Sequence, residues 1–298
     1  MALQRITSAA MSRNVLADNQ ATLTRLATLQ ERLASGKRVN RVSDDPEAAR
    51  QSLRLRVDDL KMEKYLDNIA KSQAFIEAGD TALASMSESL DSVKKLALQG
   101  ANGTADAASR RAIARAVDSE LTRLVDLANT AHDGRFLFAG TATTGESPFA
   151  LQDGRVAYRG NLDEFAINVT PTSSETVNRN GHAMFLEGTD VFAQIIGLRD
   201  ALTANDPAAV RDTLAGLDAA HGQVVDLHGG LGGQVRRLES ARDQLESTRI
   251  AIQGLISRAE NADLPSTIAD LQLAETALEA GLQTGARLLQ RSLLDYLQ

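Results

Sequence analysis

The chain has 298 residues, 43% hydrophobic and 24% charged, which suits about two ordinary domains and excludes a wholly disordered polymer. A net charge of −7, with no basic run, argues against a nucleic-acid footprint, and the absence of cysteine removes disulfides, thiolate metal sites and thiol nucleophiles. Aromatic residues are only 3%, with no Trp, so Ala and Leu supply the apolar content, as in long helices rather than a mixed α/β enzyme core.

The first segment, residues 1–45, carries Leu16, Leu23, Leu26, Leu29 and Leu33 as a helical stripe that stops at Ser35-Gly36, where Gly36 suits a left-handed helix end. A connector follows. In Ser43-Asp44-Asp45-Pro46 an acidic cap precedes Pro at the first helical position, so the next helix begins there. Residues 46–133 form one half of a rod. Met62, Ile69, Ile76, Leu83, Leu90 and Ala97 recur every seven residues, with Met86 and Val93 on a companion seam, and a further helix is expected from Ala105 to Ala131.

Residues 134–190 read differently. Seven of the ten aromatics lie between Phe136 and Phe192, among many glycines, and the runs Arg135 to Ala139, Val156 to Tyr158, Phe165 to Val169 and Thr176 to Asn178 read as short strands. Residues 191–264 return along the rod. A helix from Phe192 to His228 is expected to break near Asn205-Asp206-Pro207, and His228 to Gly233 (HGGLGG) reads as a helix break or turn. The heptads then resume at Leu231, Leu238, Leu245, Ile252 and Ala259, with Ala241, Thr248, Leu255 and Ala262 as second seam. Pro265 interrupts them. In residues 265–298, Ile268, Leu271, Leu278, Leu282, Leu289 and Tyr296 restart a stripe, while Leu273, Leu288, Leu294 and Leu297 lie off it. The fold class is therefore mainly α: paired terminal helices, a long antiparallel heptad bundle and a small β-rich insert.

No catalytic constellation emerges. Asp44 and Asp45 cap a helix better than they converge on a substrate. His132, His182, His221 and His228 form no HExxH or HxxxH spacing, HGGLGG lacks the Gly-Lys-Ser/Thr of a phosphate loop, and no Gly-x-Ser-x-Gly is present. Neither a catalytic residue nor a metal or cofactor is assigned. No run approaches the roughly 18 apolar residues of a membrane span. Residues 1–15 place Arg5, Ser12, Arg13 and Asn14 where a cleavable signal would be apolar.

Leu33 to Asn40 (LASGKRVN), with Gly36 and Asn40, followed by Ser43 to Ala49 (SDDPEAA), with Ser43, Asp44, Asp45 and Pro46, resembles the N-terminal signature of the flagellin superfamily. The SDDP form is similar to the hook-filament junction branch, the third hook-associated proteins. Ser257 to Ala262 (SRAENA), Ile268 to Leu271 and the closing run to Tyr296-Leu297 resemble the family's terminal helices. Gly134 to Gly140, Ser147-Pro148-Phe149 and Tyr158 to Asn161 resemble junction-protein segments.

The resemblance implies a structural protein of the bacterial flagellum. It implies self-assembly in a ring or helical layer between the first hook-associated protein and flagellin, and an extracellular location. Delivery would be through the flagellar type III export apparatus, read from an uncleaved N-terminal segment, with an export chaperone on the C-terminal helix at Leu278, Leu282 and Leu289. The expected assembly core is Leu16, Leu23, Leu26, Leu33, Ile268, Leu271, Leu278, Leu282 and Leu289. Filament flagellin itself stays open as an alternative, as does a cytoplasmic coiled-coil signalling module.

Overall fold

The structure is a computed structural model that describes the backbone of residues 8–296 except 179, and side chains within 10–287 except 12 and 179. The expected export segment therefore lies mostly outside the described residues, as does Leu297. So do the side chains of Leu288, Leu289 and Leu294.

Among the described residues, seven helices and three small hairpins follow in chain order: α1 (Ser8–Ser35), α2 (Pro46–Ala101), α3 (Ala107–Ala128), β1 (Ala131–His132), β2 (Arg135–Phe136), β3 (Phe149–Gln152), β4 (Arg155–Tyr158), β5 (Ala166–Asn168), β6 (Ser174–Thr176), α4 (Gly181–Phe185), α5 (Val191–Thr203), α6 (Pro207–Glu260) and α7 (Leu264–Tyr296). The chain divides into two compact units, residues 1–61 with 249–298, and residues 62–248.

The 62–248 unit holds the large core. The heptad positions Ile69, Ile76, Leu83, Met86, Leu90, Val93 and Ala97 of α2 are all buried. In one cluster, Ile69 and Ile76 meet Leu238 and Leu245 of α6. Farther along, α2 packs with α3, α5 and the first turns of α6 in a second. Asp106 caps α3, its side chain accepting from Ser109 N, and α5 ends where expected, with Asp206 accepting from Ala208 N and Ala209 N ahead of α6.

One expectation is corrected. The HGGLGG run does not break the chain: α6 passes straight through residues 228–233. Four glycines cost helix propensity of about 1 kcal/mol each, but the helix is held on both sides of them by buried Val224 and Leu238, and half-buried Leu231 lies 3.5 Å from the position a side chain on Gly79 would take. Packing overrides propensity here.

The insert is less β-rich than its aromatic and glycine content suggests. Its strands form three separate antiparallel ribbons, β1–β2, β3–β4 and β5–β6. Two of them turn on Asp-Gly pairs, Asp133-Gly134 and Asp153-Gly154, with all four residues at positive φ, the conformation of a type I′ hairpin turn. The strand expected over Arg135 to Ala139 stops at Phe136, because Leu137 N donates to Thr130 O and Leu137 to Ala139 turn inward to be buried. The last ribbon spans Ser174–Thr176 rather than Thr176 to Asn178, since Asn178 uses its side chain instead: Phe165 N donates to its Oδ1 and its Nδ2 donates to Gly140 O. Phe138, Phe149, Phe185 and Phe192 stack in a cluster with centroids 5.3 to 6.2 Å apart. Asn129, at the end of α3, holds β3 by exchanging two 2.8 Å hydrogen bonds with the Phe149 backbone.

Candidate assembly surface

The unit built from residues 1–61 and 249–298 contains the signature and both terminal helices. In α1 the row facing α7 is Val15, Asn19, Thr22, Leu26, Leu29 and Leu33, alternating spacings of four and three. In α7 the matching row is Thr267, Leu271, Ala274, Leu278, Gly281 and Gly285. Leu26, Leu29 and Ala274 are buried, with Leu271 and Leu278 packed against them. Toward the other end the seam is thin. A side chain on Gly281 would collide with the Asn19 amide, and one on Gly285 would touch Val15.

The large apolar residues expected in one assembly core thus separate into two rows. Leu26, Leu271 and Leu278 face the partner helix, and Leu33 is half-buried near the end of α1. Leu16 (60% exposed), Leu23, Ile268 and Leu282 (57%) sit one position off the seam and face solvent, as does Leu273. The sequence stripe merged these rows because residues three apart, such as Leu23 and Leu26 or Ile268 and Leu271, differ by only about 60° around a helix. Leu289 belongs to α7, and its side chain lies outside the described residues.

The connector is held by the end of α6. Gly36 has φ +68°, which lets its carbonyl accept from Ala262 N at 3.0 Å. Lys37 and Asn261 form an antiparallel bridge, and Arg38 N and Val39 N both donate to Glu260 O. Asn40 and Arg41 donate their backbone N–H groups to Asp44 Oδ2 at 2.9 and 2.7 Å. Asp45 does two things: its Oδ1 caps α2 by accepting from Ala48 N at 3.0 Å, and its Oδ2 takes Arg38 at 2.8 Å. Hydrogen bonds from backbone amides hold both carboxyls below the ordinary aspartate range, with Arg41 charge assisting at Asp44 and the Arg38 side-chain bond at Asp45. Pro46 opens α2, and Ser43 lies in the exposed turn before it.

At the centre of this region is Glu260, a residue to which the sequence reading gave no role. Its side chain is only 10% exposed, yet its carboxylate accepts from Arg56 Nε at 2.9 Å and Arg56 Nη2 at 2.7 Å, from Lys37 Nζ at 3.1 Å, and from Ser52 Oγ. The Arg56 hydrogen bonds, assisted by Ser52 and Lys37, pull its pKa down to about 2 against the opposing effect of burial. The available signal was Ser52 and Arg56, four apart on α2, facing the acid inside the SRAENA motif.

The arrangement offers cohesion and exposed apolar rows. Among the described residues no cluster of three or more acidic or histidine side chains could hold a metal. His221 meets Ser87 at 3.0 Å and His228 meets Asp80 at 3.0 Å, two separate helix-to-helix links. No helix among the described residues is long and apolar enough to cross a membrane.

Residues 6–143 match the bacterial flagellin N-terminal helical region. The chain is 26% identical to flagellar hook-associated protein 3 of Escherichia coli, over 84% of this chain and 86% of that one. It is 25% identical to flagellin of Listeria innocua, over 81% and 80% respectively. Its fold matches the solved structure of a flagellar hook-associated protein from Vibrio parahaemolyticus with a TM-score of 0.68, at 24% identity, covering 73% of this chain and 100% of that one. The mainly α, flagellin-like fold class holds.

Proposed function

We propose that this protein is a structural component of the bacterial flagellum, forming the junction layer between the hook, through the first hook-associated protein, and the flagellin filament. The observation that carries the reading is the match to a hook-associated protein 3 over 84% of this chain, joined to the SDDP form of the connector. The physical arrangement supports a building block. Each terminal helix has a thin intramolecular seam and a second apolar row one position around, so a neighbour is needed to remove Leu16, Leu23, Ile268 and Leu282 from water. A head-to-tail contact of this kind generates a ring or helix of subunits.

The same thin seam suits export. Opening α7 from α1 exposes few buried side chains, and we assign the export chaperone to residues 268–298, at Leu278, Leu282 and Leu289. A chain without cysteine reaches the type III export apparatus free of cross-links.

Deletion of the gene tests the assignment. Electron microscopy is expected to find hooks without filaments, with soluble flagellin in the culture medium by immunoblot. Normal filaments would overturn it. Loss of filaments together with loss of flagellin from the medium would favour filament flagellin, which the Listeria match keeps as the second reading.

A further inference from the structure

On the reading that copies of this chain assemble side by side, we propose that the outward row of α7 in one subunit docks on a basic and apolar face of α2 in a second copy. The opening turns of α2 bury Ala48, Ala49 and Ser52 on one side. On another, Leu53, Val57 and Leu60, at spacings of four and three, are 59%, 51% and 59% exposed. Arg50, Arg54 and Lys61 share that arc of about 120° at 100° per residue. Among the described residues their ion-pair partners are exposed acids of the same helix: Glu47 at 2.8 Å from Arg50 and 4.0 Å from Arg54, and Asp58 at 3.0 Å from Lys61. Such pairs contribute little and exchange readily.

The complementary row lies on α7. Ile268, Glu275, Glu279 and Leu282 occupy one exposed strip, and neither glutamate has an ion-pair or hydrogen-bond partner among the described residues. The two glutamates are four residues apart, as are Arg50 and Arg54, a rise of about 6 Å in each helix. Laid parallel, Glu275 opposes Arg50, Glu279 opposes Arg54, and Leu282 falls on Val57. Both strips stay exposed within a single subunit, so the partner is a second copy. Charge matching fixes the register, and Val57, Leu53 and Leu282 supply the apolar contact.

The chain's lack of cysteine makes the test direct. Flagella purified from cells carrying Val57→Cys together with Leu282→Cys are expected to yield covalent dimers and higher multimers of this chain on oxidation, which neither single variant yields. In parallel, Arg50→Glu/Arg54→Glu and Glu275→Lys/Glu279→Lys should each lower incorporation on the order of ten-fold, with helicity unchanged by circular dichroism, and the four-fold combination should restore it. Charge reversals that incorporate normally, or that the combination fails to rescue, overturn the contact, as does the absence of cross-links in flagella that contain the chain. If the unaltered chain is itself missing from purified flagella, the assembly reading beneath the contact falls instead.

Discussion

Removing the Glu260 carboxylate leaves Arg56 and Lys37 converging on a site without counter-charge, so Glu260→Gln should loosen the connector selectively. The folded acid titrates at about 2 against an ordinary 4.5. The unfolded chain therefore takes up the proton first as pH falls. The contribution is fully present above about 4.5 and is lost progressively down to about 2, amounting to on the order of 3 kcal/mol as an upper bound, because Arg56 and Lys37 are themselves about half exposed. Hydrogen exchange of residues 36–45 and 259–262 checks this. At pH 7 the variant should exchange faster than the natural chain, and by pH 3 the two should draw closer; equal exchange at pH 7 would refute the role given to Glu260. Gly36 provides a second check. With φ +68° and open space around it, a side chain there meets no neighbour, so Gly36→Ala should cost about 1 kcal/mol from backbone conformation alone, and Gly36→Asn less.

At the scale of the helix, burial decides between two leucine substitutions that look alike in sequence. Leu29→Ala removes a buried side chain of the α1–α7 seam and should destabilise that pair by about 2–3 kcal/mol. Leu23→Ala, 53% exposed, should leave the monomer's stability within about 0.5 kcal/mol. In the assembled flagellum the ranking should alter: Leu23→Ala and Leu282→Asp are expected to block incorporation while the unit of residues 62–248 stays folded, by circular dichroism of the purified chain. Normal filament attachment by Leu282→Asp would count against the outward rows as assembly surfaces. The glycines of α6 behave in the opposite sense. Gly230→Ala fills open space within a helix and should raise stability by up to about 1 kcal/mol in thermal unfolding. Heptad positions such as Ile69 and Leu238, the helix end at Gly36 and the start at Pro46 were legible because each follows from local spacing or backbone chemistry. The straight course of α6 through Gly229 to Gly233 was not, because it depends on what lies across from it in α2. Nor was the division between Leu26 and Leu23, since which side of a helix is covered is a tertiary fact. Glu260 was hidden for the same reason: its three partners are over 200 residues away in sequence.

Across the whole molecule, burial is unevenly distributed, and the consequence is kinetic as well as structural. The unit of residues 62–248 encloses Phe149, Phe185, Phe192, Ile69, Ile76, Leu83 and Met86 almost completely. The other unit relies on two small clusters, Leu26 with Leu29 and Ala274, and Val39 with Ala48 and Ala49, besides the polar tie at Glu260. Local opening follows buried contact, so the terminal helices should open at much lower free energy than α2, α3, α5 and α6 within the larger unit. Trypsin reads that difference when reclosing is fast relative to cleavage. Limited digestion of the purified chain should therefore cut first in α1, at Arg13, Arg25 or Arg32, and in α7, at Arg287, leaving a persistent fragment that contains residues 62–248. First cuts in the hairpin region, at Arg155 or Arg159, would contradict the ordering. In purified flagella the same α1 and α7 bonds should resist digestion at least about ten-fold longer, since a neighbour that covers Leu16, Leu23, Ile268 and Leu282 adds the opening free energy that the monomer lacks.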